Sequence, residues 1–471
     1  MIFAKLRGLL RPSPYLEEKL DSPSLRKEYN YWRIRIFSGI YVGYALFYFT
    51  RKSFAFSMPF LSEELGFNKW ELGLVASVLS ITYGVSKFLS GVLGDKSNPR
   101  YFMAFGLILT GIANFAMGSS SLLWVFLLAW GCNGWFQGWG WPGCAKQLTH
   151  WYSQSERGRW WSFMSTSQNL GGGLIPIVVA TSATLLGWRW GFYVPGCLAL
   201  CGGLLLMVQL RDTPQSLGLP AIEKFRNDYP PGKREKEKVE LSAKEILWTY
   251  VITNRWMWVL AGLSFLVYVI RLAVNDWGMS YLIEVKGYPK IQAGTCVSFF
   301  ELGGFLGCIT GGWLSDLVFR GRRNPISVIF LIGVLAVLVA FRWIPFSSSI
   351  VASLFFALFG FFIFGPQNII GLAAAELSHK KAAGTATGFT GCFSYLGAAA
   401  AGGPMGAIIK EWGWDAFLLT LGICSAAGAL LMLPLWSLKT RKEESAVETA
   451  VKELIPVAQE NAVESKTTEK V

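Results

Sequence analysis

The sequence predicts an all-α integral membrane protein with twelve transmembrane helices in two pseudo-symmetric six-helix halves. Of its 471 residues, 52% are hydrophobic and only 15% are charged, whereas a soluble domain has about 25% charged residues. The apolar runs are about twenty residues long, which suits membrane-spanning helices and not the alternating ten-residue strands of a barrel. An internal repeat, described below, predicts the division into two halves.

Twelve apolar runs separated by Gly, Pro or charged residues define the predicted spans. They cover residues 35–58, 69–94, 100–118, 121–147, 158–183, 187–210, 251–283, 289–315, 325–343, 347–374, 381–409 and 414–437. The corresponding divisions are a cytoplasmic N-terminal tail (1–34), an N-terminal half (35–210), a cytoplasmic linker (211–250), a C-terminal half (251–437) and a disordered cytoplasmic tail (438–471).

Landmarks recur at a nearly constant offset in the two halves. Asp95 and Asp316 lie in similar glycine-containing turns 221 residues apart, and Arg51 and Arg271 lie 220 apart. Tandem copies of six spans have the same membrane orientation, which is the parallel-repeat plan of the major facilitator fold. The two aspartates are predicted to anchor loops as helix caps or ion-pair partners, and pairs at this rim would also lock one conformation.

The distribution of basic residues predicts the orientation. Lys and Arg are concentrated in the N-terminal tail, the linker and the loops after even-numbered spans, so both termini are expected in the cytoplasm. This bias accounts for the net charge of +13, which in a soluble protein would suggest nucleic acid binding. The first 33 residues have no apolar core of the length that a cleavable signal peptide needs. The expected location is the inner (plasma) membrane.

The pattern of reactive residues argues against an enzyme. The eight cysteines lie in apolar segments without a CxxC motif and are predicted to be small buried hydrophobic residues. There are two histidines, His150 and His379, without paired ligand spacing, so neither a metal site nor a cofactor is expected. No nucleophile pattern or nucleotide-binding loop is present.

The first span carries a charge that needs a reason. In YVGYALFYFTRKSFAFSM (41–58), helical spacing puts Tyr44, Tyr48 and Arg51 on one face. Placing such a charge in a bilayer costs about 2.5–3.5 kcal/mol, and an arginine beside two phenols complements an oxyanion. The alternative is that Arg51 and Lys52 reach to the membrane interface. That alternative is favoured for Lys52, which points about 100° away from the tyrosine face.

Arg271 mirrors Arg51 in the seventh span. Tyr268 precedes Arg271 by three residues and Asn275 follows it by four, so the same combination of tyrosine and arginine recurs on one face. Two arginines that meet at the pseudo-two-fold axis would hold one dianion, and phosphate fits guanidinium better than a monocarboxylate does. A structural ion pair between Arg271 and Asp276 is the alternative.

Other polar residues inside the spans are weaker candidates. Lys87 is either a third positive group or an interface anchor, and Lys146 is expected to be an anchor. Glu301 would balance Lys87 or Arg271, or take a proton. Amides and aromatic residues such as Gln168, Gln367, Asn368 and Tyr395 suit the hydroxyls of a polyol, and equally suit hydrogen bonds between helices.

Four stretches resemble one family of the major facilitator superfamily, the organophosphate:phosphate antiporters. They are YFTRKSF (48–54), YGVSKFLSGVLGDKSNPR (83–100), GWFQGWGWPGCAKQLTHWYSQSERG (134–158) and LRDTPQSLGLP (210–220). The resemblance implies a central phosphate site formed by Arg51 and Arg271, with Lys87 as the cavity lysine. The matched tyrosines are Tyr44, Tyr48, Tyr268 and Tyr395, and Asp276 and Glu301 match the acidic pair. Asp276, Glu301, Asp95 and Asp316 are assigned gating or charge-balance roles.

Within that family, the WYS-x-x-ERG-x-WW stretch resembles the hexose-phosphate branch. Glycerol-3-phosphate transporters have a histidine where this chain has Gln168. The resemblance therefore implies a monomeric antiporter that exchanges a hexose phosphate, glucose 6-phosphate, for inorganic phosphate by alternating access. Two alternatives remain open: a membrane sensor of external hexose phosphate that acts through a partner histidine kinase, and a glycerol-3-phosphate:phosphate antiporter.

Overall fold

The computed structural model describes residues 10–18, 23–95, 97–227, 248, 251–319, 324–377 and 383–436. The predicted disordered tail (438–471) and most of the predicted linker (228–247 and 249–250) lie outside the described residues. The side chains of Asp95 and Asp316 also lie outside them, so their gating role stays a prediction.

The described residues form helices and contain no strand. The N-terminal half consists of α1 (Pro23–Leu65), α2 (Lys69–Asp95), α3 (Pro99–Gly118), α4 (Leu123–Gln137), α5 (Gly140–Trp151), α6 (Gln154–Leu186) and α7 (Trp190–Gln209), followed by the short α8 (Ile222–Arg226). The C-terminal half consists of α9 (Arg255–Glu284), α10 (Lys290–Leu317), α11 (Asn324–Trp343), α12 (Ser349–Leu377), α13 (Ala383–Ala400) and α14 (Gly403–Met432).

Eight stretches of the described chain are long and apolar enough to cross a bilayer by length and composition alone. Helices α1 and α2 are not among them. Both carry charged residues within their apolar stretches, Arg51 and Lys52 in α1 and Lys87 in α2. Arg271 and Glu301 lie in α9 and α10, which are among the eight stretches, so a charged residue within a span does not by itself remove its hydropathy signal.

Serines of α2 interrupt two of the predicted spans. Ser86 and Ser90 donate hydrogen bonds to the carbonyls of Trp135 and Gly138, and the fourth span is divided there into α4 and α5. A Cβ on Gly138 would lie 2.3 Å from the Ser86 hydroxyl, so glycine is required for this approach. A side chain that donates a hydrogen bond to a backbone carbonyl of a helix is an established cause of such breaks.

The eleventh span is divided in the same way. Ser77 donates to the carbonyl of Ala399 and accepts from the backbone N–H of Gly403, between α13 and α14. The predicted boundary between spans eleven and twelve, at 409–414, coincides with Gly413, whose φ of 77° breaks α14. Span eleven thus continues through the first part of α14.

The two halves meet most closely at one end of the bundle, the turns α1–α2 and α9–α10, which we call the closed end. Lys69 pairs with Glu284, and Lys290 pairs with Glu63. A Cβ on Gly73 would lie 2.5 Å from the carbonyl oxygen of Gly402, so the backbones of α2 and α14 nearly touch. At the opposite end, which we call the open end, added Cβ atoms on Gly388 and Gly391 would meet no heavy atom within 4 Å.

Two expectations about packing were wrong. Lys146 is not an interface anchor, because its Nζ pairs with Asp212 at 3.4 Å and donates to the carbonyl of Ser97. The cysteines are not uniformly buried: those exposed on the protein surface are Cys132, Cys197, Cys201 and Cys392. In a bilayer, an apolar outward face needs no protein cover, so hydrophobic character does not predict burial.

Candidate functional site

A cavity of about 330 Å³ lies between the two halves. All eight residues predicted to bind substrate line it: Tyr44, Tyr48, Arg51, Lys87, Gln168, Tyr268, Arg271 and Tyr395. They come from α1, α2 and α6 of one half and α9 and α13 of the other. The structure therefore brings the predicted set together, and its role in binding stays a prediction.

Eleven further residues outside that set of eight line the cavity, and among them the sequence predicts Gln367 and Asn368 as candidate ligands for a polyol and places Asn275 on the Arg271 face. The eleven are Lys52, Leu79, Ser80, Tyr83, Trp141, Ser165, Leu272, Asn275, Gln367, Asn368 and Ala398. Asn275 lies one helical turn after Arg271, and Tyr83 one turn before Lys87. Helical spacing from the charged residues therefore places both of these side chains on the cavity face.

Arg51 is held between two aromatic rings. Its guanidinium carbon lies 4.5 Å from the Tyr48 ring centre and 4.3 Å from that of Tyr83. Its Nε donates to Gln137 Oε1 at 3.2 Å, and Gln137 is itself fixed because its Nε2 donates to Thr50. The buried Nη2 has no hydrogen-bond partner. The group is thus oriented with unused donors.

Arg271 faces the same cavity without a counterion. Its guanidinium carbon lies 4.4 Å from the ring centre of Phe364 and 5.7 Å from that of Tyr268. No described residue forms a hydrogen bond or an ion pair with it. The alternative ion pair with Asp276 is not formed; the Asp276 carboxylate accepts from Asn275 Nδ2 at 2.6 Å. The cavity therefore contains two arginines with which no described carboxylate forms an ion pair.

Lys52 does not reach to the membrane interface, and that expectation was wrong. Its side chain is buried, and Nζ donates to Glu301 Oε1 at 2.6 Å and to Asn275 Oδ1 at 2.8 Å. Lys52 points about 100° away from the tyrosine face of α1, and on that side α1 contacts the C-terminal half and not lipid. Lys52 is therefore an ionic contact between α1 and α10.

Glu301 forms its ion pair with Lys52, whereas the sequence predicted Lys87 or Arg271 as its partner. Its second carboxylate oxygen accepts from Asn169 Nδ2 at 3.0 Å, so both oxygens have partners. A Cβ on Gly172 would lie 2.9 Å from this carboxyl group, which explains why glycine is needed at this position of α6.

Lys87 and Tyr395 join the two halves at the edge of the cavity, whereas Gln168 contacts its own half. Lys87 Nζ lies 3.4 Å from the Tyr395 hydroxyl, and the rings of Tyr83 and Tyr395 meet edge to face at 4.8 Å. Gln168 accepts a hydrogen bond from the Tyr48 hydroxyl at 3.1 Å. Lys87 is exposed, so its charge is available to a ligand that enters from solution.

The chain matches the family model described as Major Facilitator Superfamily over residues 40–402. This protein belongs to the major facilitator superfamily. A bacterial homologue of the human lysosomal transporter Spinster has the same fold, with a TM-score of 0.68 at 13% identity, covering 86% of this chain and 96% of that one. The superfamily assignment makes this chain a multi-pass membrane transporter and not an enzyme, as the sequence predicted.

Two relatives place the chain within the superfamily. It is 52% identical over 445 residues to the "Probable hexose phosphate transport protein" of Chlamydia trachomatis, covering 91% of this chain and 96% of the relative. It is 46% identical over 436 residues to the "Membrane sensor protein UhpC" of Escherichia coli, covering 91% and 99%. These relatives confirm the organophosphate:phosphate antiporter branch.

Proposed function

We propose that this major facilitator protein exchanges a hexose phosphate, glucose 6-phosphate, for inorganic phosphate by alternating access. The observation that carries the proposal is the pair of arginines, Arg51 and Arg271, which face one cavity without a carboxylate partner. The relative named as a hexose phosphate transport protein supports the sugar. In this account the protein acts as a monomer in the inner membrane, with the open end and both termini in the cytoplasm.

The cavity chemistry suits both substrates. A phosphoryl dianion accepts several charge-assisted hydrogen bonds, and two guanidinium groups supply them in planar pairs. Lys87 adds a third positive charge at the exposed edge. The amides of Gln168, Gln367 and Asn368 also line the cavity, where they would hydrogen-bond the sugar hydroxyls. A volume of about 330 Å³ is at the lower end of the range for small-molecule sites.

Exchange follows from the charge of the empty site. Two unpaired arginines are costly to enclose away from water, and a bound phosphate neutralises them. Closure is then favoured in the loaded states and disfavoured in the empty one. The cavity changes the side of the membrane to which it opens only when a substrate is bound. Entry of one substrate therefore requires exit of the other.

The test is uptake of labelled glucose 6-phosphate into proteoliposomes. Vesicles loaded with phosphate are compared with vesicles loaded with an equal concentration of chloride salt. We expect rapid uptake only into the phosphate-loaded vesicles, and block of that uptake by external phosphate. Equal uptake into both sets would contradict exchange.

The sensor alternative has support from the 46% identical relative named as a membrane sensor protein. A sensor binds hexose phosphate, supports little exchange, and acts through a partner histidine kinase. Binding to the purified protein without uptake into vesicles would therefore favour the sensor. If the protein neither binds nor takes up glucose 6-phosphate, glycerol 3-phosphate is tested next in the same experiment.

Gln367 offers a test of the sugar end of the site. Its Oε1 is buried without a hydrogen-bond partner, and an acceptor in this position prefers a sugar hydroxyl to a phosphate oxygen. We expect Gln367→Leu to raise the KM for glucose 6-phosphate about two- to ten-fold, the value of one neutral hydrogen bond, and to leave phosphate self-exchange nearly unchanged.

The matched control for this variant is Gln209→Leu. Gln209 also has an unpartnered buried Oε1, but its side chain contacts Ser38 away from the cavity. Equal changes in the KM of both substrates in Gln367→Leu would contradict a contact with the sugar.

A further inference from the structure

Three arginines from three separate segments converge at the open end of the N-terminal half. Arg35 lies on α1, Arg100 in the first turn of α3, and Arg211 two residues after the end of α7. None of them lines the central cavity. Their convergence therefore needs an explanation other than substrate binding.

The three guanidinium groups surround the last carbonyls of α7. Arg35 and Arg211 both donate to the carbonyl of Val208, at 3.1 and 3.0 Å, and Arg100 Nε donates to that of Met207 at 2.5 Å. The negative end of the helix dipole favours cations here. These bonds occupy only part of the five N–H donors on each guanidinium.

No acidic side chain among the described residues pairs with this cluster. Asp212, the neighbour of Arg211, is 2% exposed and points inward, where it contacts Lys146 and accepts from the backbone N–H of Ser13. Burial and the nearby charges of Arg100 and Arg35 lower the pKa of Arg211. The cluster is thus a concentration of positive charge that lacks an anion.

The surroundings of the cluster are those of a membrane interface. Arg211 and Arg35 lie 4.7 and 5.1 Å from the Trp32 ring centre, and aromatic rings of this kind mark the headgroup level. Apolar side chains next to it are exposed, Ile34 at 68% and Val208 at 59%. An occupant with a phosphate at the arginines would have apolar surface beneath it for acyl chains.

We propose that Arg35, Arg100 and Arg211 form a binding site for the phosphate group of an anionic phospholipid in the leaflet at the open end. Guanidinium groups pair with phosphate oxygens in planar geometry. Basic pockets at the ends of transmembrane helices are suited to acidic headgroups. The exposed apolar surface beside the arginines favours a lipid over free phosphate as the occupant.

The experiment measures lipid binding to the purified full-length protein by native mass spectrometry. Phosphatidylglycerol and phosphatidylcholine of the same acyl chains are titrated separately. We expect the wild type to prefer phosphatidylglycerol, and each Arg→Gln substitution at 35, 100 or 211 to weaken that binding about five-fold, the contribution of one surface arginine. Arg189→Gln is the matched control, because Arg189 also stacks on a tryptophan, at 4.4 Å, but without other arginines.

Two further arms keep the result interpretable. Arg→Lys variants retain the charge and the contacts with α7, so they distinguish lost binding from lost folding; we expect them to bind phosphatidylglycerol better than the Arg→Gln variants. Inorganic phosphate at millimolar concentration should not displace the lipid. Unchanged preference for phosphatidylglycerol in the triple Arg→Gln variant, or full displacement by inorganic phosphate, would overturn the proposal.

Discussion

Lysine at position 51 or 271 is expected to abolish most exchange, although it preserves the positive charge. Lysine cannot form the paired, planar hydrogen bonds that guanidinium makes to a phosphoryl group. Loss of one partner of a buried charged hydrogen bond costs about 2–5 kcal/mol. We therefore expect kcat/KM of Arg51→Lys and Arg271→Lys to fall by at least about 30-fold, measured as uptake into phosphate-loaded proteoliposomes.

The two substrates should be affected alike in these variants, because both present a phosphoryl group to the same arginines. Phosphate self-exchange should fall together with glucose 6-phosphate uptake. Arg189→Lys is the control, since Arg189 lies beside Trp188 at the closed end and donates to Ser121. Normal exchange by reconstituted Arg51→Lys and Arg271→Lys proteins would contradict the assignment of the site.

Removal of Lys52 alone is expected to destabilise the protein strongly. Lys52→Met leaves the Glu301 carboxylate buried without its cation, and breaking such a pair from one side costs about 3–5 kcal/mol. The double variant Lys52→Met/Glu301→Gln removes both charges and should recover most of that loss. The measurement is a double-mutant cycle on the free energy of unfolding in detergent.

The closed end supplies a matched control for this cycle. Lys69 forms an ion pair with Glu284, whose side chain is 37% exposed, and exposed pairs contribute only about 0–1 kcal/mol. Lys69→Met should therefore change stability little. A similar small effect of Lys52→Met would mean that Lys52 and Glu301 are not a buried pair in the folded protein.

The positions of the two arginines could be predicted because they depend on local regularities. Helical spacing puts Tyr44, Tyr48 and Arg51 on one face, and the offset between the two halves puts Arg271 opposite. Both regularities are carried by residues a few positions apart or by the repeat itself. Lys87 and Tyr395 are expected in the cavity from the family resemblance and Gln168 from its amide group, so their positions do not follow from these two features.

The partner of Lys52 could not be predicted, because it depends on contacts between distant parts of the chain. Glu301 is 249 residues away, and a helical wheel does not show whether a face meets lipid or the other half. The same holds for the break between α4 and α5, which needs serines of α2. The Asp276 carboxylate accepts a hydrogen bond from Asn275 and forms no ion pair with Arg271. Side-chain packing decides which of the two partners it has.

A competition experiment shows whether a single site containing Arg51 and Arg271 takes the phosphoryl group of either substrate in turn. Initial uptake of labelled glucose 6-phosphate into phosphate-loaded vesicles is measured at increasing external phosphate. If one site serves both substrates, we expect purely competitive inhibition, with an inhibition constant equal to the KM of phosphate self-exchange. Non-competitive inhibition would mean two separate sites and would contradict a single shared site.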